Sequence, residues 1–164
     1  MTRLRARAPK GQRAYGKVPR NRGKNTTLIA AITLLEGAMS QPMSVEGATD
    51  ALALEAYVEH FLAPSLCEGQ VVVLDGLGAH RTEKVRELIE RRGADVVFLP
   101  SYSPDLNPIE EAFSKIKQLV RKEGQRVREA LVEAIARALA AVTAEDAAGW
   151  FAHAGYHWPQ DQPL

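Results

Sequence analysis

The sequence predicts an α/β fold, in which a sheet containing parallel strands is flanked by helices. Three observations carry that prediction. Short β-branched runs alternate with longer segments of helical periodicity. Strand, helix and strand follow one another between Val71 and Leu99, the length of a parallel crossover unit. At 164 residues, 46% apolar and 25% charged, the chain is one domain's length and can bury roughly 70% of its unfolded surface.

Each element follows in order. Thr26 to Leu34 is a β-branched and apolar run, Glu36-Gly37 supplies a turn, and Ala38 to Val45 resumes, so the pair reads as a hairpin with Pro42 at an edge or bulge. Thr49 or Asp50 caps a helix with Leu54, Val58, Phe61 and Leu62 at helical spacing, which Pro64 stops. Val71 to Leu74 is apolar on both faces, the pattern of a buried parallel strand, and ends at Asp75. Thr82 caps the next helix, with Val85, Leu88 and Ile89 inward and Gly93 at its left-handed end. Ala94 to Leu99 is the second buried strand. After the proline-rich stretch 100–108 come helices over Pro108 to Glu123 and Val127 to Val142, then a helix start at Thr143-x-x-Asp146. Three regions result: a basic arm 1–24, a body 25–142, and a helix and tail 143–164.

Charge is distributed unevenly. Residues 1–24 hold nine Lys and Arg and no acid, so the other 140 residues carry a net −8 against the chain's +1. Such an arm suits a polyanionic partner, and Arg13, Lys17, Arg20, Arg22 and Lys24 are its candidate DNA contacts. Lys115 and Lys117, with Arg121 and Lys122, line the polar side of a later helix and could track a phosphate backbone; a solvated helix face reads equally well. No apolar run approaches the ~18 residues of a membrane span. No apolar segment follows the basic start, which predicts no secretory signal. The single cysteine, Cys67, makes no internal disulfide, which fits a reducing cytoplasm, and reads as a small buried or half-buried hydrophobe.

Two carboxylates stand where chemistry is done. Asp75 lies at the C-terminal end of a parallel strand, the edge where α/β sheets gather ligands, although a turn aspartate before Gly76 would look the same. Glu110 stands third after Asn107 and Pro108, which also fits a capping box; Glu111 points about 100° around the helix. A phosphomonoesterase using Asp75 as nucleophile would want an acid two residues on, where Leu77 stands. His153 and His157 have the helical spacing of a metal pair, but Gly155 and Pro159 oppose a helix there.

Tyr102-Ser103-Pro104-Asp105-Leu106-Asn107-Pro108-Ile109-Glu110 resembles the signature of mariner-type DDE transposases, in their bacterial insertion-sequence branch. Val72-Val73-Leu74-Asp75 with His80 resembles the second-aspartate motif of that family, and the thirty-five positions from Asp75 to Glu110 match its spacing. Phe98-Leu99-Pro100 also fits, and the resemblance spans about Ala8 to Lys122. It implies a ribonuclease-H-like mixed sheet flanked by helices, and a triad of two aspartates and a glutamate holding two Mg²⁺ or Mn²⁺ ions. Asp75 and Glu110 would be catalytic metal ligands, with Glu111 and His80 as lesser metal or phosphate contacts. The implied reaction is DNA cleavage and strand transfer at the terminal inverted repeats of an element. Implied too are a nucleoid-associated bacterial location and a homodimer or an upstream transposase fragment as partner.

Two departures qualify the resemblance. No acid precedes Glu36, so the family's first strand and first aspartate have no counterpart, and Gly76 replaces the usual Asn. Weak cation binding and an inactive isolated chain are therefore expected, with a catalytically inert DNA-binding or regulatory remnant as the alternative. The unpaired strand edges predict either collapse of the hairpin onto the Val71 strand or marginal stability with self-association.

Overall fold

The computed structural model describes residues 7–15, 25–34, 38–76, 81–125 and 127–156. Strands β1 (Thr26–Ile32) and β2 (Met39–Glu46) form the expected antiparallel hairpin. Its register shifts between Ile29↔Met43 and Ala31↔Ser40, leaving Gln41 and Pro42 opposite Ala30. Proline has no N–H to give a ladder, so it occupies the bulge where none is needed.

Helix α1 (Ala51–Tyr57) starts at Asp50, whose carboxylate accepts the Ala53 N–H at 2.9 Å. The chain then widens into a π-helical stretch (Val58–Leu62) before the short α2 (Ala63–Ser65). Pro64 explains the widening, since a proline ring clashes with the carbonyl one α-turn back and removes a donor. Strand β3 (Val71–Leu74), helix α3 (Glu83–Glu90) and strand β4 (Asp95–Phe98) make the crossover, with β3 and β4 parallel and Val71 facing Asp95. Thr82 caps α3 as expected, and Gly93 takes φ +74°, the left-handed turn into β4. Helices α4 (Ile109–Glu123), α5 (Arg128–Ala140) and α6 (Ala144–His153) follow, α6 opening on a capping box between Thr143 and Asp146.

The fold is α/β with sheets flanked by helices, consistent with a ribonuclease-H-like nuclease. Among the described residues, four strands lie in two sheets of two rather than in one continuous ladder, and the hairpin does not pair with β3. The hairpin is nevertheless the middle layer. Ile29, Ala31 and Met43 pack on a cluster built from Leu54, Val58, Val85 and Ile89. Leu28, Ile32 and Met39, on its other face, pack on a cluster of Ile116, Val120, Ala138 and Ala147.

Strands β3 and β4 join only the first cluster, through Val72, Leu74 and Val96. The expectation that they are buried on both faces is corrected: Val71 is 55% exposed and Val97 47%. Helices α4 to α6 spend their apolar faces on the hairpin, and β3 and β4 contribute nothing to their cluster.

Tyr57 is buried on α1, and its hydroxyl lies beside the Ala31 backbone without a hydrogen-bond partner among the described residues. Burial pushes its pKa up to about 12 from 10.0. Because the folded state holds this proton more tightly, the associated stability is complete below pH 10 and lost between about pH 10 and 12. Tyr57→Phe should keep the packing and lose this alkaline component. Urea melts of both proteins across that range test it, and parallel losses of stability in the two would contradict the assignment.

Candidate functional site

Asp75 leaves the C-terminal end of β3 half-buried, and the Leu99 N–H donates to the Leu74 carbonyl at 2.8 Å just beside it. The parallel register therefore delivers two chain exits, 75–76 and 99–101, to one edge. Gly76 permits their close approach: a Cβ there would lie 2.9 Å from the Leu99 carbonyl oxygen, 3.4 Å from Arg81 Nη2 and 3.4 Å from the Ser101 nitrogen. The departure from the family's Asn thus has a packing reason. Arg81 and Arg86 place their guanidinium groups 5.5 and 5.6 Å from the Phe98 ring centroid, which makes this edge cationic.

The exit from β4 passes through Tyr102, at φ +62°, and a 3₁₀ turn over Pro104–Leu106 before α4 begins. The expected capping box at Asn107 is corrected here. Asn107 closes the 3₁₀ turn, its N–H donating to the Pro104 carbonyl at 2.9 Å, and Pro108 occupies the cap without any side-chain cap bond. Glu110 sits exposed in the first turn of α4, its backbone N–H on the Asn107 carbonyl at 3.1 Å. Its carboxylate makes no hydrogen bond or ion pair among the described residues, so helix capping does not account for it.

Glu111 is held differently. It pairs with His153 Nδ1 at the end of α6. Lys115 pairs with Asp146, and Tyr156 donates its hydroxyl to the Leu106 carbonyl at 2.9 Å. These three links fasten α6 and the residues after it to the start of α4, and the Glu111–His153 pair borders an open pocket of about 220 Å³, lined also by Asp105, Glu110 and Trp150. Asp75 lies outside that lining. Lys115 and the Thr143 backbone hold the Asp146 carboxyl below its usual pKa. Among the described residues, no three His, Cys, Asp or Glu group closely enough to hold a metal ion.

Arg13 is exposed in the segment 7–15. Lys17, Arg20, Arg22, Lys24 and His80 lie outside the described residues, as does His157. Lys117 is exposed with its ammonium 5.9 Å from the Phe113 ring centroid, whereas the Lys115 ammonium is engaged by Asp146. Cys67 is exposed, correcting the expectation of burial, because it follows α2 in the turn where its N–H donates to Gln70 Oε1. Sequence reasoning passed over Arg81 and the conformation of Tyr102. The first adjoins His80 in the second-aspartate motif and the second opens the signature stretch.

Residues 1–131 match the family described as DDE superfamily endonuclease. No curated protein matches the chain at a significant level.

Two substitutions test the geometry described. Gly76→Ala should cost about 1–3 kcal/mol, because the added carbon meets backbone rather than a yielding side chain. Asp146→Ala should cost about 1–2 kcal/mol, because the Thr143 N–H and hydroxyl lose their carboxylate acceptor and Lys115 is stranded. Denaturant melts measure both, and a change under ~0.3 kcal/mol in either would contradict the corresponding contact.

Proposed function

The chain belongs to the DDE superfamily of endonucleases, and on that premise we propose that it is the catalytic-domain part of a mariner-type transposase of the bacterial insertion-sequence branch. Its parent reaction is metal-dependent cleavage and strand transfer at the terminal inverted repeats of a DNA element. The observation that carries the reading is Glu110: a carboxylate at the head of a packed helix, inside the signature stretch, with no cap or ion pair among the described residues to account for it.

In this reading Asp75 and Glu110 hold the cation. Their oxygens are the hard donors that Mg²⁺ and Mn²⁺ take. Such ions, when bound, strengthen a water or 3′-hydroxyl nucleophile and neutralise the departing oxyanion. The strand end fixes Asp75 and the buried face of α4, through Ala112, Ile116 and Val120, fixes Glu110. Glu111 is the lesser candidate because His153 already engages it. The basic arm and Lys117 supply sequence-independent attraction to DNA phosphates.

A third carboxylate is not available from residues 1–35, which contain no acid. The isolated chain therefore binds cations weakly and carries out no strand transfer. A complete site draws that acid from a further segment or a second transposase chain. Asp75 lies outside the pocket that Glu110 lines, which supports a second reading, in which the chain acts as an inert DNA-binding or regulatory remnant.

Titration calorimetry with Mn²⁺ separates the two. The first reading predicts weak binding that Asp75→Asn and Glu110→Gln each reduce by about tenfold or more. Binding indifferent to both substitutions favours the remnant. Incubation of the chain alone with its terminal repeats and Mg²⁺ should leave the DNA intact, and cleavage would contradict the proposed inactivity.

A further inference from the structure

The edge where β3 and β4 end carries two side chains that the foregoing chemistry does not use, Arg81 and Tyr102. We propose that they form a contact site for an unstacked base and its neighbouring phosphate on the DNA strand presented to Asp75. The site rests on the reading of the chain as a DNA-processing fold and adds to it a preference for single-stranded or locally opened DNA.

Tyr102 combines two unfavourable properties. Its φ of +62° places a bulky residue in the left-handed region, and it is the sole non-glycine residue at positive φ among the described residues. Its ring is also fully exposed, at 102% relative accessibility, so burial repays neither the strain nor the wetted aromatic surface. Strain of this kind concentrates at ligand contacts, where the chain holds a side chain ready. A free aromatic face binds any base by stacking, provided the base has left its own stack.

Arg81 supplies the charge. Its guanidinium lies 5.5 Å from the Phe98 ring centroid and 3.4 Å from where a Gly76 Cβ would stand, and it forms no ion pair among the described residues. Arg86, over the same ring, is occupied by Glu90 at 3.3 Å. A guanidinium seated on an aromatic ring keeps its N–H fork free for two phosphate oxygens. The Ser101 nitrogen lies 3.4 Å from the same point beside Gly76, so the cation and the loop that carries Tyr102 share one neighbourhood with the Asp75 exit.

Strain makes the test selective. Fluorescence anisotropy of the full chain with a short single strand and with its duplex, alongside thermal melts, compares wild type with Tyr102→Gly, Tyr102→Phe and Arg81→Gln. Tyr102→Gly should weaken single-strand binding about tenfold while raising the melting temperature by about 2–4 °C, since glycine relieves the backbone. Tyr102→Phe keeps the ring and should stay within about twofold of wild type. Arg81→Gln should weaken binding and reduce the salt dependence by about one phosphate contact. Single-strand affinity unchanged by Tyr102→Gly, or lost equally on duplex, would overturn the site while leaving the functional reading intact. A wild-type chain that binds neither DNA form would overturn that reading and the site together.

Discussion

The parallel register of β3 against β4 is the constraint on which the candidate site depends. By setting Leu74 beside Phe98 and Leu99, it brings the Asp75 exit and the loop toward Glu110 out at one edge. Gly76 then removes the one carbon that would hold those exits apart. The pairing is short, four residues on each strand, and it gains its firmness from the cluster beneath it rather than from its own ladder. Val72, Leu74 and Val96 reach into that cluster, which Val85 and Ile89 of α3 complete.

The second support is α6. It follows the segment matched to the endonuclease family, yet its links to Leu106, Glu111 and Lys115 bracket Glu110 on both sides along the chain. A carboxylate with no bond of its own among the described residues is thereby kept in place by bonds to its neighbours. Metal sites benefit from that arrangement, because ligand oxygens free of internal partners lose nothing on binding a cation, while the held backbone limits the entropy of closing on it.

Much of the fold was legible in the sequence because local physics decides it. Apolar spacing located the helices, Pro42 announced a bulge, and Thr82 and Thr143 announced helix starts that the structure shows. The nine-residue stretch ending at Glu110 pointed to DDE enzymes, and the match over residues 1–131 agrees at the level of the DDE superfamily. What stayed hidden depends on contacts distant in sequence. Nothing in Val71 to Leu74 says whether a second helical layer will cover it, and α4 to α6 turned out to cover the hairpin instead. Glu111 and His153 are forty-two residues apart, so their pairing required the fold. Asn107 carries the side chain of a helix cap, but the preceding 3₁₀ turn claimed it first. Tyr102 gives no signal of a left-handed backbone, because tyrosine is a poor choice for one on conformational grounds alone.

Under the proposed function, folding brings Asp75 and Glu110 to a common cation. Paramagnetic broadening by Mn²⁺ in an amide-resolved NMR titration measures this directly. The account predicts that the signals of residues 75–76 and 110–111 broaden together at the same added metal, and that Glu110→Gln shifts both sets to higher concentration. Broadening confined to one set, with the other unmoved, would contradict it.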